Sequence, residues 1–251
     1  MPMPLIPKAD LIEIFSSIQG EGVLVGCRQI FLRFPDCNLN CHYCDTDFLK
    51  TATCLVENSP GSGELNSLKN PVDFTLVRKL INAWNAELPG AHHSISITGG
   101  EPLLHERLLL SWLPELRKIL PVFLETNGTL PDQLASLIQH LDWVSMDIKL
   151  HSLTGERTEW ETHRHFLKIA NQTHCYVKLV VGEHTPDLEL QLAADLVAGI
   201  SKDIPMVIQP VTLDDKVAVS TTRLLQMQAL VADINQNLRV IPQTHRFMGV
   251  L

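Results

Sequence analysis

Apolar residues recur along this chain in two rhythms. Short runs rich in β-branched and aromatic residues, bounded by turn formers, predict strands over Gln29–Phe34, Ser94–Thr98, Val122–Glu125, Trp143–Ile148, Tyr176–Val181, Met206–Gln209 and Leu238–Ile241. Between them, helical spacing of apolar positions predicts helices over Asp73–Leu88, Leu130–His140, Thr162–Asn171, Asp187–Ala198 and Thr221–Asn235. In the first helix, Leu76, Leu80, Ile81 and Trp84 are expected to share the buried face. A helical stretch beyond Pro102 should be interrupted or restart at Pro114, because proline removes a backbone donor. Leu11–Ile14 is a short apolar stretch near the start. Leu49–Val72 is polar, carries Pro60, Gly61, Gly63 and Pro71, and reads as a loop insertion.

Strands alternating with helices imply a parallel sheet wound by right-handed crossovers. About six such units predict an α/β fold, a partial (β/α) barrel of parallel strands. No linker, repeat or low-complexity tract divides the chain, so residues 1–251 should form a single domain. In parallel α/β folds ligands gather beyond the carboxyl ends of strands. The distinctive polar residues fall at those ends: Arg33 and the loop after it, Thr98-Gly99-Gly100-Glu101-Pro102, Glu125-Thr126-Asn127-Gly128, Asp147 with Lys149, and Gln209. Each alone is ordinary turn or cap chemistry. Their coincidence points to one site. Arg33, embedded in Phe-Leu-Arg-Phe, either snorkels or meets an anion, and Lys178 reads equally as facing the barrel or reaching its rim.

Composition adds what the pattern lacks. Three of the six cysteines, Cys37, Cys41 and Cys44, lie in one short loop after the first predicted barrel strand. Three thiolates can converge on a soft metal centre. A structural zinc wants four ligands, and His42 would nominally complete the set. As the neighbour of Cys41, however, His42 tends to point away from the cysteines. A 4Fe-4S cluster held by three thiolates leaves one iron open for chemistry, and that is the leading reading. The formal net charge of −8 argues against a nucleic-acid surface. No apolar run approaches membrane-spanning length and Met1–Asp10 lacks an apolar leader, so a soluble, cytoplasmic protein is expected.

The spacing Cys-x3-Cys-x2-Cys together with Thr98–Pro102 resembles the radical S-adenosylmethionine (SAM) superfamily. Ser17-Ile18-Gln19-Gly20-Glu21-Gly22, the Asp45-Thr46 pair after the last cysteine, and Arg239-Val-Ile-Pro-Gln-Thr-His245 resemble more narrowly the 7-carboxy-7-deazaguanine synthase family. This similarity spans nearly the whole chain except Leu49–Val72. That family converts 6-carboxy-5,6,7,8-tetrahydropterin to 7-carboxy-7-deazaguanine with loss of ammonia, on the route to 7-deazapurines such as queuosine.

The resemblance implies a 4Fe-4S cluster, SAM and Mg2+ as cofactors, a flavodoxin-type or other one-electron reductant, and a homodimer. By the same resemblance Cys37, Cys41 and Cys44 ligate iron, while Tyr43, Cys44 and Asp45 lie beside SAM. Gly100 and Glu101 hold its aminocarboxylate, and Ser145, Asp147, Lys149 and Gln209 flank its ribose or adenine. Ile18, Gln19, Gly20, Thr98 and Leu251 line the pterin. Arg33, Glu21 and His245 carry the catalytic assignment, Arg33 by pairing with the substrate carboxylate. Thr46 would ligate Mg2+, and the tail from His245 to Leu251 would close over the substrate. The resemblance departs from the family at Ser145-Met-Asp-Ile-Lys149, where relatives have Ser-Pro-Lys. Two other classes remain in view: a radical SAM activase that makes a glycyl radical on a partner protein, and a zinc-stabilised binding module built on Cys37, Cys41, His42 and Cys44.

Overall fold

The structure, a computed structural model, describes residues 6–44 and 49–250. It begins with an antiparallel pair, β1 (Glu13–Ile18) and β2 (Arg28–Phe34). The segment expected to be a loop insertion is instead a hairpin, β3 (Thr53–Glu57) and β4 (Leu65–Lys69), and β3 joins the sheet beside β1. Two features explain it. Cys54 and Val56 alternate inward to the core, and the buried Glu57 carboxylate accepts the backbone N–H groups of Ser16, Gly61 and Gly63 at 2.8–3.0 Å. Pro60, Gly61 and Gly63 form the turn of a hairpin rather than a free loop.

Helix α1 (Phe74–Glu87) starts at Asp73, whose side chain accepts from Thr75 N at 2.9 Å. Its buried face is Phe74, Val77, Ile81 and Trp84; Leu76 lies outside it, 44% exposed. Next come β5 (His92–Gly99), α2 (Glu106–Leu116), β6 (Val122–Thr126), α3 (Pro131–Leu137) and β7 (Trp143–Asp147). Pro114 does not interrupt α2. It occupies the last turn, where one lost donor is tolerated, and the helix ends two residues later. A short helix α4 (His151–Thr154), α5 (Trp160–Ala170), β8 (His174–Val181), α6 (Asp187–Ala198) and β9 (Met206–Pro210) follow. The chain then forms the small hairpin β10 (Thr212–Leu213) and β11 (Lys216–Val217), helix α7 (Thr221–Ala232), β12 (Leu238–Val240) and helix α8 (Thr244–Met248).

The ten-stranded sheet runs β12-β9-β8-β7-β6-β5-β2-β1-β3-β4, and β2, β5, β6, β7, β8, β9 and the short β12 are mutually parallel. The expected six strands are β2 and β5 to β9, with β12 added at one edge. Side chains alternate along each strand. One set, including Ile30, Leu32, Ile97, Leu124, Met146, Leu179 and Ile208, is fully buried in the main core with the helices. The other set faces inward. Early in the strands it is apolar, with Phe123, Tyr176 and Val207 packed around Leu24. Toward the strand ends it becomes polar, and there the cleft opens.

Candidate active site

The cleft has a volume of about 750 Å³ and draws at least one charged or polar side chain from each of the six strands, among them Arg33, Thr98, Glu125, Asp147, Lys178 and Gln209. Strand register sets their spacing, since Arg33 stands opposite Thr98 and Asp147 opposite Lys178.

The cysteine loop leaves β2 and is fastened at once to the end of β5. Gly100 N donates to Phe34 O at 3.1 Å and Glu101 N to Asp36 O at 2.8 Å. This approach requires glycine. A Cβ on Gly99, whose φ is +138°, would fall 2.1 Å from Phe34 O, and one on Gly100 would fall 2.0 Å from Asp36 O. Asn127 adds a second brace, donating from Nδ2 to Asn38 Oδ1 at 2.8 Å with Cys37 Sγ at 4.0 Å.

Cys37, Cys41 and Cys44 all line the cleft, and Cys44 N donates to Cys41 O at 3.1 Å. Burial pushes the Cys41 thiol up to about 11, so a positive metal centre is what would make it a thiolate. Cys27 is part-buried, and Cys54 and Cys175 are buried; none of these three lines the cleft. Among the described residues no three His, Cys, Asp or Glu side chains converge on a single ion. A zinc needs all four donors around one atom, whereas thiolates on a cluster bind different irons. His42, the nominal fourth zinc ligand, packs instead against Gly155, where an added Cβ would meet its ring at 2.5 Å.

Glu101 departs from its expected place. It is fully buried and absent from the cleft wall, which Gly99 and Gly100 line instead. Its carboxylate accepts from Asn127 N at 2.7 Å, Thr126 Oγ1 at 2.9 Å and Leu103 N at 3.1 Å. Burial nevertheless pushes it up to about 7. Its side chain therefore ties the loop after β6 to the loop after β5.

Tyr43, Lys149 and Asp147 are joined near the cysteines, and Ser145 lines the same cleft. Lys149 Nζ donates to Asp147 Oδ2 at 2.8 Å and to Tyr43 Oη at 3.0 Å, and lies over the Tyr43 ring. Burial disfavours its charge, but Asp147 more than compensates and holds the ammonium well above its ordinary range. Asp147 Oδ1 and Gln209 Oε1 are buried, line the cleft and accept no hydrogen bond from the protein. A ligand rich in hydroxyl and amino donors would satisfy both, as the ribose and adenine of SAM would. The glycine-braced cysteine loop and these two acceptors thus fit a cluster with SAM beside it.

The Ser17–Gly22 turn forms the opposite part of the site. Gln19 is buried and donates to Gln29 Oε1 at 3.0 Å and Glu125 Oε1 at 2.7 Å, while Thr98 Oγ1 donates to Glu125 Oε2 at 2.7 Å. Arg33 donates from Nε to Glu13 at 2.5 Å, with its guanidinium over the Phe15 ring. Glu21 pairs with Lys178 and accepts from Gln243 Nε2 at 2.9 Å. Burial works against its charge, but Lys178 outweighs it and holds the carboxyl at about 2. The tail docks on the same turn: Thr244 N donates to Gly20 O at 2.9 Å, and an added Cβ on Gly20 would fall 2.2 Å from His245 Nδ1. Ile18, Gly20, Gln243, His245 and Arg246 line the cleft.

Asp45, Thr46 and Leu251, which the resemblance assigns to SAM, Mg2+ and substrate, lie outside the described residues. Sequence reasoning gave no role to Glu125, Lys178 or Gln243. For the first two the signal was strand alternation, which puts them on the same inward side as Asp147.

A three-cysteine loop at the carboxyl end of a partial parallel barrel, next to a polar cleft, defines a radical SAM protein, and the model of the Radical SAM superfamily matches residues 32–215. The fold is similar to that of the crystal structure of QueE from Escherichia coli, with a TM-score of 0.57 and 20% identity over 94% of each chain. The chain belongs to the 7-carboxy-7-deazaguanine synthase family. It is 47% identical to the protein of that name from Geobacter sulfurreducens, over 98% of this chain and 99% of the relative. It is 34% identical to the one from Methanothermobacter thermautotrophicus, again over 98% and 99%. These matches favour neither the activase nor the zinc module. No helix among the described residues is long and apolar enough to cross a membrane.

Proposed function

We propose that this protein converts 6-carboxy-5,6,7,8-tetrahydropterin to 7-carboxy-7-deazaguanine with loss of ammonia. The observation that carries the reading is the wall formed by Arg33, Gln19, Glu21 and Thr98 within the cleft that also holds the three cysteines. When bound together, the cluster and SAM supply abstraction of the hydrogen at C6 of the pterin. The chain's own residues orient the substrate and control protons and water.

Arg33, with Nε tied to Glu13, offers a planar fork to the substrate carboxylate. Gln19, Thr98 and Glu125 form a fixed array of donors and acceptors suited to the edge of a pterin ring. Glu21 stays ionised beside Lys178 and offers a fixed carboxylate acceptor to an N–H group of the pterin. Lys149 and Asp147 bind SAM hydroxyl or amino groups. The tail, fastened at Gly20, excludes water from the reacting centre.

The same reading extends to three features of the working protein. Thr46 contributes its hydroxyl to a Mg2+ ion that keeps most of its waters, as Mg2+ prefers. A flavodoxin-type or other one-electron donor reduces the cluster, and the protein works as a cytoplasmic homodimer. The test is anaerobic turnover with the pterin, SAM, reductant and Mg2+, with product identified by mass. Formation of 7-carboxy-7-deazaguanine supports the reading. SAM cleavage without that product overturns it.

A further inference from the structure

A line of hydrogen bonds and ion pairs runs through the cleft from the cysteine loop to the C-terminal tail. It passes from Tyr43 to Lys149, Asp147, Lys178, Glu21 and finally Gln243. Tyr43 lies between Cys41 and Cys44, whereas Gln243 immediately precedes α8. Lys178 lies within this line, between Asp147 and Glu21, and has no assignment in the reaction. Its Nζ contacts Glu21 Oε2 and lies 3.6 Å from Asp147 Oδ2, and its side chain is 13% exposed. It therefore touches a carboxylate on each side of the site.

We propose that Lys178 is a positioning residue that fixes Glu21, on the substrate side, relative to Asp147, on the SAM side. An ammonium has three donors and no acceptor, so one Lys178 can serve both carboxylates at once. Both are largely buried, 20% and 11% exposed, and like charges in such surroundings repel unless a cation lies between them. Asp147 retains Lys149 if Lys178 is removed, but Glu21 loses its ion pair and is left with the neutral Gln243 and with His245 nearby. Loss of Lys178 thus acts unequally. It loosens Glu21 and the turn under the tail, while Asp147 and the cysteine loop keep their contacts. Lys178 occupies the inward face of β8 opposite Asp147 in strand register, so the bridge is built into the sheet. Reorienting Asp147 toward SAM would also shift the ammonium between the two carboxylates, which makes binding of the two ligands interdependent.

This proposal rests on the reading of the cleft given above, and the experiment separates the two. Anaerobic, cluster-loaded Lys178→Met, Lys178→Arg and parent proteins are compared for iron content, melting temperature and pterin affinity with and without saturating SAM. The ratio of 5′-deoxyadenosine to product is measured alongside. Lys178→Met should keep its iron. The tightening of pterin binding by SAM should fall by at least about fivefold, and deoxyadenosine should accumulate without matching product. Lys178→Arg, which keeps the cation, should restore much of both. If Lys178→Met does not fold, Lys178→Gln is measured in its place and should show the same losses. A methionine or glutamine variant with parental linkage and parental ratio would overturn the proposal. So would an arginine variant that folds but rescues neither quantity. A parent that yields no product counts against the pterin reading, whereas an altered linkage between SAM and pterin speaks to Lys178 alone.

Discussion

At the scale of single residues, the site depends on charges whose partners hold them in one state. Glu21 illustrates the sign. Its folded value of about 2 lies below the ordinary 4.5, so it contributes stability that is complete above about pH 4.5 and disappears as pH falls toward 2. The displacement corresponds to about 3 kcal/mol. Glu21→Gln should therefore be less stable than the parent near neutrality, and the gap should narrow in acid. Urea unfolding of cluster-free protein at several pH values between about 6 and 2.5 measures this. A gap that stays constant would remove the ionised Glu21–Lys178 pair from the account. Arg33 makes a different prediction. Lysine lacks the planar fork, so Arg33→Lys should lose about 1.5–3 kcal/mol of pterin binding, roughly ten- to hundredfold in affinity. Equilibrium titration of the cluster-loaded protein decides it, and unchanged affinity would move the carboxylate elsewhere.

At the scale of elements, much was legible because strands and helices follow hydrophobic period and the functional loops follow strand ends. The predicted strands from Gln29 to Gln209 are the barrel strands, and the polar residues that end them share one cleft. Other features depend on contacts distant in sequence. The hairpin of β3 and β4 was hidden because Glu57, whose carboxylate organises its turn, is an acidic residue in a polar stretch. The resemblance assigned Glu101 to SAM, whereas packing turns its side chain into the core. For Lys178, strand alternation gives the inward side, and the register of β7 against β8 sets it beside Asp147.

The tail shows the same limit. Its anchors, Thr244 and His245 on the Gly20 turn, are contacts distant in sequence, while Phe247 and Met248 are 52% and 48% exposed. Gly20 has no positive φ, so alanine suits its backbone, and the three atoms nearest the new methyl group all belong to the His245 side chain. Gly20→Ala should keep its iron and melting temperature while yielding less product per deoxyadenosine. A lowered melting temperature with normal coupling would make the tail a structural cover and not a lid.

At the scale of the whole molecule, one sheet performs two tasks. Its outward residues bind helices into the core, and its inward residues at the carboxyl ends line a polar cleft of about 750 Å³. The central claim is that this cleft brings the C6 hydrogen of the pterin to SAM at the cysteine loop. The most direct measurement is anaerobic turnover of pterin carrying deuterium at C6, with mass analysis of both products. The account predicts 7-carboxy-7-deazaguanine together with 5′-deoxyadenosine that has gained deuterium. Deoxyadenosine free of deuterium, formed without 7-carboxy-7-deazaguanine, would contradict it.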